Sequence, residues 1–292
     1  MKTRASLFLL NSCNNLCVMC TCMPNSPKFK LDLEKTEDLL FQLPLDTSKV
    51  TVSGGEPTLM KDIFKILRMI RKNLPAAELC MLSNGRMFYY PEFTRKFVET
   101  GVDSVAIPLH GHNAELHDGI THAPGSFNQT VQGIKNLLQC RDKVRVDIRI
   151  VIHRLNYKQV PKICEFIAKE FRGIFRVVLF PIDIVGAANI NRKKLIVKIT
   201  AITPYVQKGL GTLEREGFEC QLFHIPFCVI DKKYWDKVAG MSVGEAKVTF
   251  KPCDGCIMRE SCPGIWKTYA FRVGMDEFKP IRPIPQKTKS NI

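Results

Sequence analysis

Short runs of β-branched and other apolar residues alternate with longer stretches of helical periodicity through the first two thirds of the chain. Such alternation is typical of βα units built around a parallel sheet. The stretch after Asp62 shows the helical pattern best, because Ile63, Ile66 and Ile70 recur at helical spacing and form one apolar face. We predict strands over 6–11, 49–53, 78–83, 104–109, 145–152 and 175–180, and helices over 33–42, 61–72, 91–100, 129–138, 158–169 and 203–216.

The alternation stops near residue 190. One more helix, 203–216, is expected there without a further βα pair, and the last 60 residues mix aromatics, cysteines and prolines. A small irregular segment of this kind buries little core, so a metal or cofactor is expected to stabilise it. We therefore predict an α/β core over 1–190, a cysteine-rich segment over 191–281 and a frayed tail over 282–292.

Composition narrows the class of protein. An apolar fraction of 45% and a charged fraction of 24% in 292 residues exclude a disordered or fibrous chain. The 43 Lys and Arg outnumber the 28 Asp and Glu, giving a formal net charge of +15. This excess favours anionic partners, although the sequence shows no clear nucleic-acid-binding module.

Twelve cysteines raise the question of disulfides, which need an oxidising compartment and an export signal. The apolar stretch that follows Arg4 is six residues long, shorter than the roughly 7–15 that a signal peptide needs. No run approaches the ~18 apolar residues of a membrane span. We expect a cytoplasmic protein, not associated with a membrane, whose grouped cysteines bind metal rather than form disulfides.

The first cysteine group directly follows the first predicted strand. Cys13, Cys17 and Cys20 form a C-x3-C-x2-C pattern. Three thiolates in one short loop suit a [4Fe-4S] cluster with one iron left open. Zinc remains an alternative if Cys22 or a histidine supplies a fourth ligand. The carboxyl end of a parallel strand is where βα folds place chemistry, which favours the cluster.

A second motif follows the second predicted strand, where Ser53 is followed by Gly54, Gly55, Glu56 and Pro57. Two glycines let the backbone approach a ligand closely, and the proline fixes the turn. With the three cysteines about 35 residues upstream, the chain resembles the radical S-adenosylmethionine (SAM) superfamily. In that family the glycine-rich motif binds the amino group of SAM.

The resemblance continues along the chain. Met19 occupies a position that is usually aromatic in the family, which is a departure from its pattern. Asn84 and His110 lie in segments that match family motifs after the third and fourth strands, and Arg149 lies where members place a polar residue near the carboxylate or ribose of SAM. A charge at the barrel rim is the alternative for Arg149. Patterns seen in peptide-modifying members are matched at His117-Asp118, at 125–127 and at 133–134.

The resemblance implies a partial (β/α)6 barrel of the TIM type. Cys13, Cys17 and Cys20 would hold a [4Fe-4S] cluster, and SAM would chelate its open iron. Reductive cleavage of SAM would then give methionine and a 5′-deoxyadenosyl radical that takes hydrogen from the substrate.

The second cysteine group, Cys253, Cys256 and Cys262, resembles the shortened SPASM, or twitch, extension of radical SAM enzymes, which binds an auxiliary [4Fe-4S] cluster. Cys228 is the expected fourth ligand, with Cys220 or an open position as alternatives. A zinc site is also compatible with this spacing.

These patterns lead to three functional hypotheses. The first is a maturase of a ribosomally synthesised peptide, resembling those of the His-Xaa-Ser system, with a flavodoxin or ferredoxin as electron donor. Its leader peptide would be recognised by a separate leader-binding protein or by the barrel itself. The second is a radical SAM enzyme acting on a small phosphorylated or nucleotide-like substrate. The third is a non-enzymatic iron-sulfur or zinc protein.

Overall fold

One parallel sheet organises the fold. The computed structural model describes residues 3–23, 27–239 and 253–283. Its seven strands lie side by side in chain order, and every neighbouring pair is parallel. The strands are β1 (Arg4–Phe8), β2 (Lys49–Ser53), β3 (Glu78–Leu82), β4 (Ser104–Pro108), β5 (Arg145–Ile152), β6 (Arg176–Pro181) and β7 (Cys220–Leu222). The six predicted strands are confirmed, and their carboxyl ends share one edge of the sheet.

Helices fill the connections between strands, as a parallel sheet requires. They are α1 (Leu33–Phe41), α2 (Ile63–Asn73), α3 (Pro91–Val98), α4 (Ala114–Thr121), α5 (Ser126–Leu138), α6 (Val160–Glu170), α7 (Gly186–Ile190), α8 (Arg192–Leu195), α9 (Ile199–Arg215) and α10 (Lys267–Val273). The apolar face predicted on α2 is confirmed, since Ile63, Ile66, Leu67 and Ile70 are all buried. None of the described helices has the length and apolar character needed to cross a bilayer.

The expectation that no further βα pair follows residue 190 is wrong. Helix α9 leads into β7, which pairs in parallel with β6 through Val177–Cys220 and Leu179–Leu222. Helix α9 also begins four residues before its predicted start and contains Pro204 in its interior. Because β7 has only three residues, it lacks the alternation from which a strand is recognised in sequence.

The two faces of the sheet differ in polarity. On β5, Val146, Ile148 and Ile150 are buried, whereas Asp147 and Arg149 point to the opposite face, inside the curve of the sheet. Asp147 pairs there with Arg176 of the adjacent strand at 2.5 Å. The apolar core therefore lies between sheet and helices, and the inner face carries charge.

The C-terminal segment packs onto the carboxyl end of β6. The indole Nε1 of Trp266 donates to the carbonyl of Pro181 at 3.0 Å, and the ring stacks on His224 with centroids 3.6 Å apart. The hydroxyl of Tyr269 accepts from the amide of Ile199 at 3.0 Å. Of the predicted tail, 284–292 lies outside the described residues.

Candidate active site

The first cysteine group lies in a loop at the carboxyl end of β1, here named the cysteine loop (residues 13–22). The amides of Leu16 and Val18 donate to the carbonyls of Thr121 and Ile120 at the end of α4, at 2.8 and 3.0 Å. The Nδ2 of Asn191 donates to the carbonyl of Val18 at 2.9 Å. Two elements that are distant in sequence thus fix the course of the loop.

Helix α7 closes the far end of the cysteine loop. The amides of Ala187 and Ala188 donate to the carbonyls of Cys22 and Cys20, at 3.1 and 3.3 Å. Gly186 has φ +54°, and a Cβ at this position would overlap the carbonyl oxygen of Thr21. Only glycine allows this close approach of helix and loop.

Arg86, which follows β3, anchors the loop from the opposite side. Its Nη1 donates to the carbonyl of Asn14 and, at 2.8 Å, to Oδ1 of Asn15, while its Nε donates to Oε1 of Gln129 at 2.6 Å. The sequence patterns did not single out Arg86. The only signal was its position directly after the Ser83-Asn84-Gly85 motif.

The three thiols are close enough to influence one another. Burial raises the pKa of Cys17 to about 12 and also raises that of Cys13, and each is raised further by the charge of Cys20. A hydrogen bond from the Cys22 thiol lowers the pKa of Cys20 to about 6. Within the described residues no three Cys, His, Asp or Glu side chains already converge on one point as a formed metal site.

The glycine-rich motif packs directly onto the start of the cysteine loop. The amide of Gly55 donates to the carbonyl of Leu10 at 2.6 Å, and that of Glu56 donates to the carbonyl of Ser12 at 2.8 Å. A Cβ on Gly54 or Gly55 would overlap these carbonyl groups. The two glycines therefore bring the ends of β1 and β2 into contact, one residue before Cys13. Ser53 ends β2 and accepts from the amide of Leu9 at 2.9 Å.

Glu56 is fully buried and braces two loops. Its Oε1 accepts from the amide and hydroxyl of Thr58 at 3.1 and 2.6 Å and from the hydroxyl of Ser83 at 2.8 Å; its Oε2 accepts from the amide of Asn84 at 2.6 Å. Burial raises the pKa of this carboxyl, and the four hydrogen bonds oppose that effect. The carboxylate thus joins the loop after β2 to the loop after β3.

The remaining residues predicted for this site do not all lie in the same environment. Asn84 donates from Nδ2 to Oδ1 of Asn14 at 2.6 Å and lies 3.8 Å from the Sγ of Cys13. Pro57 opens a short 3-10 turn. Met19 is buried in the apolar core.

Comparison with known proteins identifies this arrangement. The family model of the radical SAM superfamily matches residues 7–167, more than half of the chain. The chain belongs to the radical SAM superfamily.

Two curated relatives are identical to this chain at about a quarter of the aligned positions. The AdoMet-dependent heme synthase of Oleidesulfovibrio alaskensis is 25% identical over 57% of this chain and 43% of its own length. The GTP 3′,8-cyclase of Nautilia profundicola is 27% identical over 53% of this chain and 49% of its own length. The chain thus spans about half the length of the curated relatives it matches.

Among solved structures, SuiB of Streptococcus suis bound to S-adenosylmethionine has the same fold. Its TM-score is 0.63 at 13% identity, over 77% of this chain and 52% of SuiB. SuiB bound to its precursor peptide SuiA gives a TM-score of 0.62 at 14% identity, over 81% of this chain and 54% of SuiB. The likeness extends the fold assignment beyond the residues that the family model matches.

The [4Fe-4S] cluster and SAM that this radical SAM family implies fit the residues present. Thiolates are the usual ligands of such clusters, and three thiols share one loop here. Burial disfavours the thiolate forms of Cys13 and Cys17 in the protein alone. Bound iron would stabilise these thiolates by placing positive charge next to them. The cysteine loop also meets the glycine-rich motif, as SAM bound at such a cluster requires.

Three buried histidines line the carboxyl ends of β4 and β5. The amide of His110 donates to Nδ1 of His117 at 3.2 Å, and the two rings stack with centroids 5.6 Å apart. His153 lies near them, and burial lowers the pKa of all three rings. Nδ1 of His110 and Nε2 of His153 are buried without a hydrogen-bond partner among the described residues.

The His117-Asp118 and 125–127 motifs have a local structural explanation. The carboxylate of Asp118 accepts from the amides of Gly125 and Phe127, both at 2.7 Å, and from the hydroxyl of Ser126 at 3.0 Å. It therefore holds the first turn of α5, in the role of a helix cap. Gly133 of α5 lies against the carbonyl of Gly85, which brings this helix under the loop after β3.

Arg149 lies on the inner face of β5, in register with Pro108 and Val178. Its Nε is buried and has no hydrogen-bond partner among the described residues. The nearby carboxylate of Asp147 is engaged by Arg176. The Nε–H of Arg149 thus remains a buried donor without an acceptor among the described residues.

The second cysteine group is partly assembled. Burial raises the pKa of Cys228 to about 11, and the charges of Cys262 and Cys253 raise it further because these thiols are near. The Sγ of Cys256 accepts from the amide of Ile281 at 3.4 Å. Cys220, the alternative ligand, lies in β7, fully buried, and interacts with Cys164. The structure therefore brings Cys228, not Cys220, to the second group.

Proposed function

We propose that this protein cleaves SAM reductively and uses the resulting radical to modify a ribosomally synthesised peptide. The observation that carries the proposal is the contact between the cysteine loop and the glycine-rich motif at the carboxyl edge of the sheet. Cys13, Cys17 and Cys20 would hold a [4Fe-4S] cluster there, and that cluster would supply the electron for reductive cleavage of SAM.

Each residue of the site has a proposed role. Cys13, Cys17 and Cys20 hold the cluster. The backbone of Gly54 and Gly55 binds the amino group of SAM. Glu56 fixes the position of this backbone through the hydrogen bonds of its buried carboxylate. Asn84 orients the loop beside Cys13 through its bond to Asn14.

Arg149 and His110 complete the proposed pocket. Arg149, whose buried Nε has no hydrogen-bond partner among the described residues, is proposed to bind the carboxylate or ribose of SAM. His110 is buried just after the carboxyl end of β4, and its Nδ1, which has no partner among the described residues, is proposed to contact the substrate.

The peptide substrate is supported by the second cysteine group and by the fold. Cys228, Cys253, Cys256 and Cys262 are proposed to hold an auxiliary [4Fe-4S] cluster in a twitch-type segment near the carboxyl ends of the strands. SuiB, whose fold matches, is a protein that binds a precursor peptide. A peptide side chain would reach the radical through the open end of the barrel.

A small nucleotide-like substrate is the second candidate. It is favoured by the relatives that are GTP 3′,8-cyclases and by the net charge of +15. Co-expression with a peptide encoded beside the gene separates the two, because a mass change on the peptide supports the first candidate, and turnover of GTP by the purified enzyme supports the second.

Cys17→Ala tests the first cluster. We expect loss of about four irons per chain and loss of 5′-deoxyadenosine formation with dithionite and SAM, because two thiolates do not hold the cube. Cys140→Ala is the matched control, since this thiol lies at the end of α5 outside either group. Retained SAM cleavage in Cys17→Ala would contradict the site, and no cleavage by the reconstituted wild type with any substrate would support a protein that only binds iron or zinc.

Cys228→Ala tests the second group against Cys220→Ala. The structure predicts that Cys228→Ala alters the iron content or the electron paramagnetic resonance signal of the auxiliary cluster, while Cys220→Ala changes neither. Equal effects of both substitutions would argue against Cys228 as a ligand. Zinc in place of about four of the eight expected irons would replace the auxiliary cluster by a zinc site.

A further inference from the structure

A positively charged surface covers the outer side of α7, the helix that closes the cysteine loop. Helices α7 and α10 enclose a surface cavity of about 600 Å³ whose lining includes Asn189, Lys267 and Arg272. Helix α8 follows α7 directly and adds further cations. The basic face is defined here as Lys267, Phe271 and Arg272, which line this cavity, together with Arg192, Lys193 and Lys194 of α8. Helix α8 is joined to the cavity lining by the hydrogen bond from Nη1 of Arg192 to the carbonyl of Asn189 at 3.0 Å.

The charges of the basic face are not neutralised by the fold. None of its five cations forms an ion pair with any residue in the described parts of the chain. No acidic residue lines the cavity between the two helices. Elsewhere, in contrast, Lys49, Arg71 and Lys135 are engaged by carboxylates.

An exposed aromatic residue lies among these cations. The side chain of Phe271 is 79% exposed although it belongs to a helix whose other face is tied down by Tyr269. An exposed aromatic side chain beside unpaired cations, here Lys267 and Arg272, is typical of a protein-binding surface and lowers solubility if it has no partner.

The basic face is separated from the cysteine loop by one helix. Ala188 of α7 donates to the carbonyl of Cys20, and the next residue, Asn189, lines the cavity. A helix with its side chains is about 10–12 Å across. A protein seated on the basic face would therefore lie about one helix diameter from the loop that holds the proposed cluster.

The geometry points to the basic face as the docking site of a small acidic electron-carrier protein, and this inference rests on the proposed function. SAM cleavage needs one electron from outside, so the reduced carrier loses one electron and the cluster held by Cys13, Cys17 and Cys20 gains it. Complementary charge speeds such encounters, and redox complexes bury little surface. A carrier with a carboxylate-rich surface matches the five cations of the basic face, which form no ion pair in the described parts of the chain, and its exposed Phe271.

The inference is tested with a reduced acidic flavodoxin as the carrier. Reversing two charges with Lys193→Glu and Lys194→Glu is compared with Arg68→Glu and Lys72→Glu, which make the same change of charge on the exposed side of α2. Flavodoxin binding is measured by titration at low and high salt. Formation of 5′-deoxyadenosine is then followed with flavodoxin and, separately, with dithionite.

We expect flavodoxin to bind the Lys193/Lys194 variant at least about tenfold more weakly at low salt, with a smaller salt dependence than the wild type. The dithionite-driven reaction should be unchanged, because a small reductant needs no docking surface. The α2 variant should match the wild type in both measurements. The variant with Lys193→Gln and Lys194→Gln should weaken flavodoxin binding less, in the same direction. It replaces the charge-reversal variant if that variant fails to fold.

Equal flavodoxin binding by wild type and both Lys193/Lys194 variants would overturn the docking site. An equal loss of flavodoxin binding in the α2 variant would also overturn it, because only the total charge of the protein would then determine binding. The third contrary outcome is weaker binding of a candidate peptide to the Lys193/Lys194 variants while flavodoxin binding is unchanged. Failure of the proposed function looks different, because the wild type would then form no 5′-deoxyadenosine with dithionite either.

Discussion

At the scale of single residues, Glu56 shows how a charged side chain shapes the site without exposure to solvent. Its 0% exposed carboxylate receives four hydrogen bonds from Thr58, Ser83 and Asn84. A buried carboxylate is stable only when its acceptor positions are filled in this way. The loops after β2 and β3 are therefore held in one arrangement relative to Cys13.

Glu56→Gln is expected to lower the free energy of unfolding by about 1–3 kcal/mol, because the new NH2 group faces donors that have lost their acceptor. Urea denaturation measures the change. Glu99→Gln is the control, since Glu99 is exposed at the end of α3 and should change stability by less than about 0.5 kcal/mol. Equal stability of the Glu56 variant and wild type would show that the hydrogen bonds to Glu56 contribute little.

At the scale of elements, α7 depends on its contacts rather than on its own sequence. A helix of five residues is far too short to be stable alone. Its position is set by Gly186 against Thr21 and by the amides of Ala187 and Ala188 on the cysteine loop. Helix α7 and the cysteine loop therefore stabilise each other's conformation.

Gly186→Ala should separate α7 from the cysteine loop, because a left-handed φ of +54° costs about 1–2 kcal/mol for alanine and the Cβ overlaps a backbone carbonyl. We expect reduced iron content per chain and lower thermal stability. Gly119→Ala provides the matched control, since this glycine in α4 is exposed and has open space around it. That change should raise stability by roughly 0.5–1 kcal/mol. Full iron content in Gly186→Ala would show that α7 is dispensable for the cluster.

The sequence predicted the elements whose signal is periodic or local. Six strands and the apolar face of α2 were correct because each carries several buried residues at regular spacing. Helix α4 was not predicted, although its N-cap Asn113 accepts a hydrogen bond from the amide of Leu116 through its side chain. With eight residues, α4 spans little more than two turns, so its apolar periodicity is short. Strand β7 and helix α7 are too short for periodicity to be detected.

For the site, spacing alone pointed to Cys13, Cys17 and Cys20 and to the glycine-rich motif. The supports of that site could not be predicted in this way, since Arg86 and Asn191 lie 72 and 173 residues from their partners in the cysteine loop. Contacts at such separations depend on the tertiary fold. The motif containing Asp118 likewise did not predict that this side chain caps α5, because the same motif also occurs in peptide-modifying enzymes.

At the scale of the whole molecule, acid should unfold this protein through its buried histidines. Burial lowers the pKa of His117, His153 and His224 to about 4 and lowers that of His110. Unfolded histidine titrates near 6.5, so the unfolded chain binds protons first as the pH falls. The contribution of these histidines to the free energy of unfolding is fully present above pH 6.5 and decreases as the pH falls toward 4.

The measurement is urea denaturation between about pH 7 and about pH 5, where His117 and His153 should each account for about 2 kcal/mol of lost stability. His153→Gln should flatten this pH dependence. His122→Asn is the control, because His122 is exposed and asparagine tolerates its left-handed backbone. An unchanged pH dependence in His153→Gln would mean that this ring is protonated equally in both states.

The distance in sequence between the cysteine loop and its closing helix has a consequence for biosynthesis. The three thiols leave the ribosome about 170 residues before Asn191 and α7. At roughly 5–20 residues per second, this interval lasts about 10–30 s. During that time β1 to β3 are available to pair in order, while the thiols remain open on the side that α7 later covers. The nascent chain thus exposes the three thiols of the proposed cluster before α7 packs over them.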